Sequence, residues 1–123
     1  MRTVVQRVKD AYVKVPAEGY ESSIGHGLLL LVGFTDDDTE EDLLWTARKI
    51  AAMRIFDDAD GVMNLSVRDV DGDVLVVSQF TLYASTVKGN RPSYIKAAKP
   101  DVAEPLYKRF LELMEAAMEK TVG

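Results

Sequence analysis

In the stretch VLVVSQFTLYAS, Val74–Ser85, four unbroken apolar residues are followed at once by Ser78, Gln79 and Thr81 around a single Phe80. Polar side chains in a dry strand cost free energy unless every donor and acceptor finds a partner. On a continued strand, Ser78 and Phe80 point to one face while Gln79 and Thr81 share the other. An amide beside a hydroxyl at a strand end can hold a polar ligand at fixed distance. The plainer alternative is that these groups only satisfy backbone where the strand meets the surface. A second feature follows directly: TVKGNRPSYIKAAKP, residues 86–100, carries Lys88, Arg91, Lys96 and Lys99 and no acid.

Other chemistries fall away by residue type. The chain has no cysteine, so thiolate nucleophiles, disulfides and Cys-held metals are excluded. His26 is the only histidine, which excludes a His-rich metal site. A Ser/Thr–His–acid triad would need the fold to carry His26 to the polar strand. No GxxxxGK[ST] phosphate loop occurs, and the Gly25–Gly27 stretch leads into a strand rather than from a strand to a helix. TDDDTEEDL, Thr35–Leu43, holds six acids and no base, without EF-hand spacing, and reads as the solvated approach to a helix. No metal and no cofactor is expected. The net charge of −5 argues against indiscriminate nucleic-acid binding, leaving the basic loop as the one local candidate for phosphate.

The elements that must position these residues can be read from periodicity. The length of 123 residues, 47% hydrophobic and 28% charged, fits one domain, 1–123. Val4–Gln6–Val8 and Tyr12/Val13–Val15 alternate as two strands joined by a tight turn near Asp10. Leu28–Val32 is an apolar strand. Thr39 with Asp42 forms a capping box before a helix whose stripe is Leu43, Ala47, Ile50 and Arg54, widened by Leu44 and Ala51. A turn at Asp60–Gly61, a short strand and an Asp71–Gly72 hairpin signal lead into the polar-ended strand. A second helix is expected from Asp101, with Glu104 as its capping partner, Pro105 in its first turn, and Leu106, Phe110, Leu113 and Ala117 inward. This pattern implies an α/β fold: a mixed sheet curved into two layers, both helices packed on one side. No apolar run reaches membrane-span length, and the N-terminus enters a strand pattern with no secretory signal, so a cytoplasmic location is expected.

The chain resembles the D-aminoacyl-tRNA deacylases, also called the D-Tyr-tRNA deacylase family. The likeness rests on MRTVVQRV, GLLLLVG, MNLSV, VLVVSQFTLYA, KGNRPSY and AEPLYKRF in order, with a looser match between Val15 and Gly25. It implies a homodimeric hydrolase that cleaves the ester joining a D-amino acid, and in some settings glycine, to the 3′-terminal adenosine of tRNA. The sites would lie at the subunit interface. The family's SQxT signature falls on Ser78, Gln79, Phe80 and Thr81. Its Gly-cis-Pro signature, inserted into the partner's site, has no counterpart before Gly123: either the sequence is truncated, which is expected because losing strands exposes an apolar sheet edge, or this member lacks that chiral filter.

On that resemblance, the Phe80 or Thr81 backbone N–H, with Gln79 nearby, would stabilise the tetrahedral oxyanion. Thr81 is either a nucleophile, which needs a base the motif does not offer, or a positioning hydroxyl beside the substrate's own 2′-hydroxyl. Lys88 and Arg91 would contact tRNA phosphates. Arg7, with Gln6, would brace the partner's inserted loop, or be a plain surface strand residue. Two other readings remain: a non-enzymatic dimeric nucleic-acid-binding module, and an editing domain detached from an aminoacyl-tRNA synthetase.

Overall fold

A strand without one polar side chain must be covered on both faces, and GLLLLVG is the only such stretch of that length here. In the computed structural model, which describes residues 1–122, it takes the centre of the main sheet. The elements are β1 (Arg2–Val8), β2 (Ala11–Val15), β3 (Tyr20–Ile24), β4 (Gly27–Gly33), α1 (Glu40–Ala52), β5 (Phe56–Asp57), β6 (Met63–Leu65), β7 (Asp73–Ser78) and α2 (Pro100–Met118). Short 3-10 turns follow β2, at Pro16–Glu18, and β7, at Phe80–Tyr83. The main sheet runs β1-β4-β7, with β4 antiparallel to β1 and parallel to β7. β2–β3 and β5–β6 are separate antiparallel ribbons.

Register decides which side chains meet. Val32 lies opposite both Thr3 and Ser78, and Leu28 opposite both Arg7 and Val74. Leu28, Leu30, Val32, Val74 and Val76 therefore share the face that meets α1 and α2, where Leu43, Ala47, Ile50, Phe110 and Met114 complete one core. On the other face Leu29, Leu31 and Val77 are half-buried and Val4 is 47% exposed. This is the expected α/β class with both helices on one side, built from three small sheets.

α1 begins where its capping box predicts. Thr39 Oγ1 accepts the Asp42 N–H at 3.3 Å and the Asp42 carboxylate accepts the Thr39 N–H at 2.9 Å. The Thr39 N–H, with a smaller contribution from the Thr39 hydroxyl, holds the Asp42 carboxyl below its usual range. Arg109 of α2 then reaches Glu40 at 2.6 Å, tying the two helices together at their exposed edge.

Four local expectations are corrected. The strands either side of Asp10 do not pair with each other: β1 is taken by β4, so β2 leaves to pair with β3. Asp71–Gly72 is a turn, with Asp71 at φ 51, but not a hairpin. β7, apolar on both faces, enters the core beside β4 while β6 pairs with β5. Arg54 lies beyond the end of α1 and is exposed, donating from Nε to the Asn64 carbonyl at 2.9 Å. α2 starts at Pro100, whose ring supplies a pre-set φ and no N–H to cap, and Lys99 before it makes no side-chain cap. Pro105 consequently sits in the second turn, and Met114 and Met118 are buried while Ala117 is only partly so.

Candidate active site

β7 ends at Ser78, earlier than alternation suggests. The Gln79 N–H still donates to the Val32 carbonyl at 2.7 Å, the last tie to β4. The chain then turns: Leu82 N–H reaches the Gln79 carbonyl at 3.3 Å, and Ala84 N–H the Thr81 carbonyl at 3.0 Å. Gly33 makes room for this. A Cβ there would stand 3.0 Å from the Gln79 oxygen, 3.1 Å from Leu82 Cβ and 3.3 Å from the Tyr83 ring, so a side chain would push the turn off β4.

The strand reading of Gln79 and Thr81 is therefore wrong in conformation, yet the two residues still meet. The Gln79 amide nitrogen donates to Thr81 Oγ1 at 2.5 Å. Phe80 and Thr81 contribute the first two N–H groups of the turn, which have no acceptor within it and none elsewhere among the described residues. Phe80 is 57% exposed, with its ring edge-on to Tyr94 at a centroid distance of 5.1 Å.

Ser78, Phe80 and Tyr94 form one wall of a mostly apolar cleft of about 570 Å³, closed on the other side by Lys99, Ala103 and Tyr107. Tyr107 donates its hydroxyl to the Val76 carbonyl at 2.9 Å. Burial, with a smaller push from Tyr20, raises the Tyr107 phenol above its ordinary value, so it remains a neutral donor at physiological pH. The basic loop is held beside this cleft. Ser85 and Ser93 form a two-residue bridge, Thr35 Oγ1 donates to the Lys96 carbonyl at 2.8 Å, and Ala98 N–H donates to the Phe34 carbonyl at 2.9 Å. Lys88, Arg91, Lys96 and Lys99 are exposed, and none forms an ion pair with a described residue.

Two candidates lie elsewhere. Arg7 stands opposite Leu28, four residues along β4 from the Val32–Ser78 pair, and its Nη1 donates to the Ile55 carbonyl at 2.8 Å and approaches Asp57 at 3.6 Å. His26 is at that same end, edge-on to Phe56, so a triad with the SQFT residues does not form within one chain. A larger polar cleft of about 670 Å³ also lies at the far end. Its Arg68 is matched by Glu119 and its Lys120 by Asp71 and Asp73.

Sequence reasoning missed Tyr94, Ala103 and Tyr107. Ala103 and Tyr107 are four apart on α2, share a helix face and both fall within AEPLYKRF, a signal available in principle; Tyr94 lies in an irregular loop and was marked only as the last residue of KGNRPSY.

Comparison with known proteins shows the family. The D-aminoacyl-tRNA deacylase of Parabacteroides distasonis is 57% identical over 122 residues, covering 99% of this chain and 81% of that protein. The D-aminoacyl-tRNA deacylase of Flavobacterium johnsoniae is also 57% identical, over 123 residues, with the same shares of 99% and 81%. Among solved structures, one described as c-Myc DNA Unwinding Element Binding Protein superposes with a TM-score of 0.88 at 38% identity, covering 99% of this chain and 83% of that one. A probable eukaryotic D-amino acid tRNA deacylase matches with a TM-score of 0.79 at 22% identity, covering 95% and 68%, and so supports the fold alone. The family described as D-Tyr-tRNA(Tyr) deacylase matches residues 4–123, and on these grounds the chain belongs to that family.

Proposed function

We propose that this protein hydrolyses the ester between a D-amino acid and the 3′-terminal adenosine of tRNA, releasing the amino acid and tRNA, with glycine misattached to tRNA-Ala as a further substrate. The observation that carries this reading is that Ser78 and Phe80, on either side of Gln79, line one mostly apolar cleft together with Tyr94 and residues 97–99 of the basic loop, while Gln79 and Thr81 stand next to it without lining it. Water adds to the ester carbonyl, the oxyanion is met by the Phe80 and Thr81 N–H groups with Gln79 alongside, and the 3′-oxygen leaves with a proton. Ser78 lines the cleft mouth. Thr81 accepts its one side-chain hydrogen bond from an amide, which cannot serve as a base, and this supports a positioning role with the substrate's own 2′-hydroxyl as activator.

Lys88 and Arg91, which have no acidic partner among the described residues, are suited to tRNA phosphates. A homodimer with the site at its interface is supported by the half-covered sheet face around Val4, Leu29 and Leu31. Arg7, remote from its own chain's turn, would then act toward the partner. Among the described residues no helix is long and apolar enough to cross a membrane, and the reading places the protein in the cytoplasm with charged tRNA. Family membership does not favour the nucleic-acid-binding module or the detached editing domain.

The test is release of amino acid from D- and L-tyrosyl-tRNA. The D ester should be cleaved, and Gln79→Ala should lower that rate by ~10²-fold, the usual scale for one oxyanion-site group. Salt-dependent tRNA binding with both esters left intact would replace the enzyme by a binding module.

A further inference from the structure

Every oxyanion-binding turn has a back as well as a front, and the back of this one is held by a residue outside the SQFT motif. We propose that Arg2 is a positioning residue for deacylation, locking the 79–83 turn from behind; this rests on the reading of that turn as the ester site. Arg2 opens β1 directly opposite Gly33, the residue whose missing side chain admits the turn. From there its Nη1 donates to the Leu82 carbonyl at 2.8 Å, and its guanidinium carbon lies 4.5 Å from the centroid of the Tyr83 ring.

The two contacts do different work. The last carbonyls of a short helical turn have no N–H partner within it, so the Leu82 oxygen needs an outside donor. The hydrogen bond supplies one and fixes the turn along the direction of that carbonyl. The cation over the Tyr83 ring fixes the next residue in rotation, and Tyr83 is itself anchored, being 8% exposed. Successive residues are thus clamped to β1 at one point. Thr81, whose N–H is assigned to the oxyanion, is the immediate neighbour of Leu82 and cannot move independently of it. Donors act only when held roughly 2.7–3.1 Å from the developing oxyanion, so a displacement of about an ångström costs rate. Arg2 does not line the cleft, and its contacts are to the last two residues of the turn, Leu82 and Tyr83, on which Thr81 depends for its position. Loss of Arg2 should therefore slow the chemical step and leave binding alone.

The experiment measures kcat, KM and the salt dependence of KM for D-tyrosyl-tRNA with Arg2→Ala, Arg2→Lys and Arg2→Gln, at a temperature well below each variant's unfolding midpoint. Gln79→Ala is assayed in parallel. Arg2→Ala should lower kcat about tenfold, the order expected for one charge-assisted contact, with KM within about twofold of the parent. Arg2→Lys, which keeps a cation but not the fork that makes both contacts at once, should recover part of the loss. Arg2→Gln should fall below Lys. If Arg2→Ala folds too poorly to assay, the order Arg above Lys above Gln in kcat carries the test. Unchanged kcat in the presence of a crippled Gln79→Ala overturns the clamp and leaves the site reading standing. A fully active Gln79→Ala sinks both. A raised KM with a flattened salt slope and normal kcat would make Arg2 a phosphate contact instead, and also overturns the proposal.

Discussion

Thr81 is the residue on which nucleophilic and substrate-assisted mechanisms part. Its hydroxyl accepts the Gln79 amide proton at 2.5 Å, an arrangement that orients an oxygen without making it a better nucleophile. Removing it should loosen Gln79 while leaving the backbone donors in place. Thr81→Ala is therefore expected to lower kcat by about tenfold or less, the worth of one positioned hydrogen bond. Mass spectrometry of the enzyme quenched during turnover should find no aminoacyl group on Thr81. A trapped ester at that oxygen would restore the nucleophile. The choice of Ser78, Gln79 and Thr81 as the residues of interest was legible from their types, since polar groups after a dry strand ask for a partner. Their conformation was not legible, because the break at Ser78 depends on a glycine 45 positions earlier in the chain, Gly33, being pressed against the turn.

At the scale of elements, the basic loop is informative because it is tethered rather than free. Just past β4, the Thr35 hydroxyl donates to the Lys96 carbonyl and the Phe34 carbonyl accepts the Ala98 N–H, which keeps the 86–99 segment beside the cleft. Charge on a loop so held is presented in a defined direction. Replacing Lys88 and Arg91 together with Ala should raise KM for aminoacyl-tRNA and reduce the slope of log affinity against log salt by ~1.5, the release of about two counterions. An unchanged slope would move the tRNA path to another surface. Of the helices, α1 was readable to its first residue because its cap is a side-chain device written locally in Thr39 and Asp42. α2 was misplaced by one residue because its start uses Pro100 and no capping side chain.

For the whole molecule, the sheet face away from the helices carries the decisive test. Val4 stands 47% exposed, with Leu29 and Leu31 only partly covered, on strands whose opposite face is the core. Contiguous apolar surface of this kind marks association sites. Val4→Glu is expected to weaken self-association at least about tenfold, through the cost of burying an unpaired carboxylate. Light scattering across a dilution series would read this, and deacylation should fall in step with the dimer fraction. A variant that stays dimeric and active would place the interface on a different surface.

Sequence alone determined the candidate chemistry, because that follows from which residue types are present: no cysteine, one histidine, SQFT after a dry strand, and a basic loop beside it. It also determined most of each helix's apolar stripe and marked Leu28–Val32 as an apolar strand, since periodicity is a local property. Strand partnership was decided only in three dimensions. β1 and β7 each had a nearer neighbour in sequence, and both left it for β4, where an all-apolar strand offers more surface to bury than a hairpin partner does. That exchange put Arg2 and Gly33 behind the SQFT turn and sent Arg7 and His26 to the opposite end of the sheet. The residues were local facts; their distances are the outcome of a competition for the core.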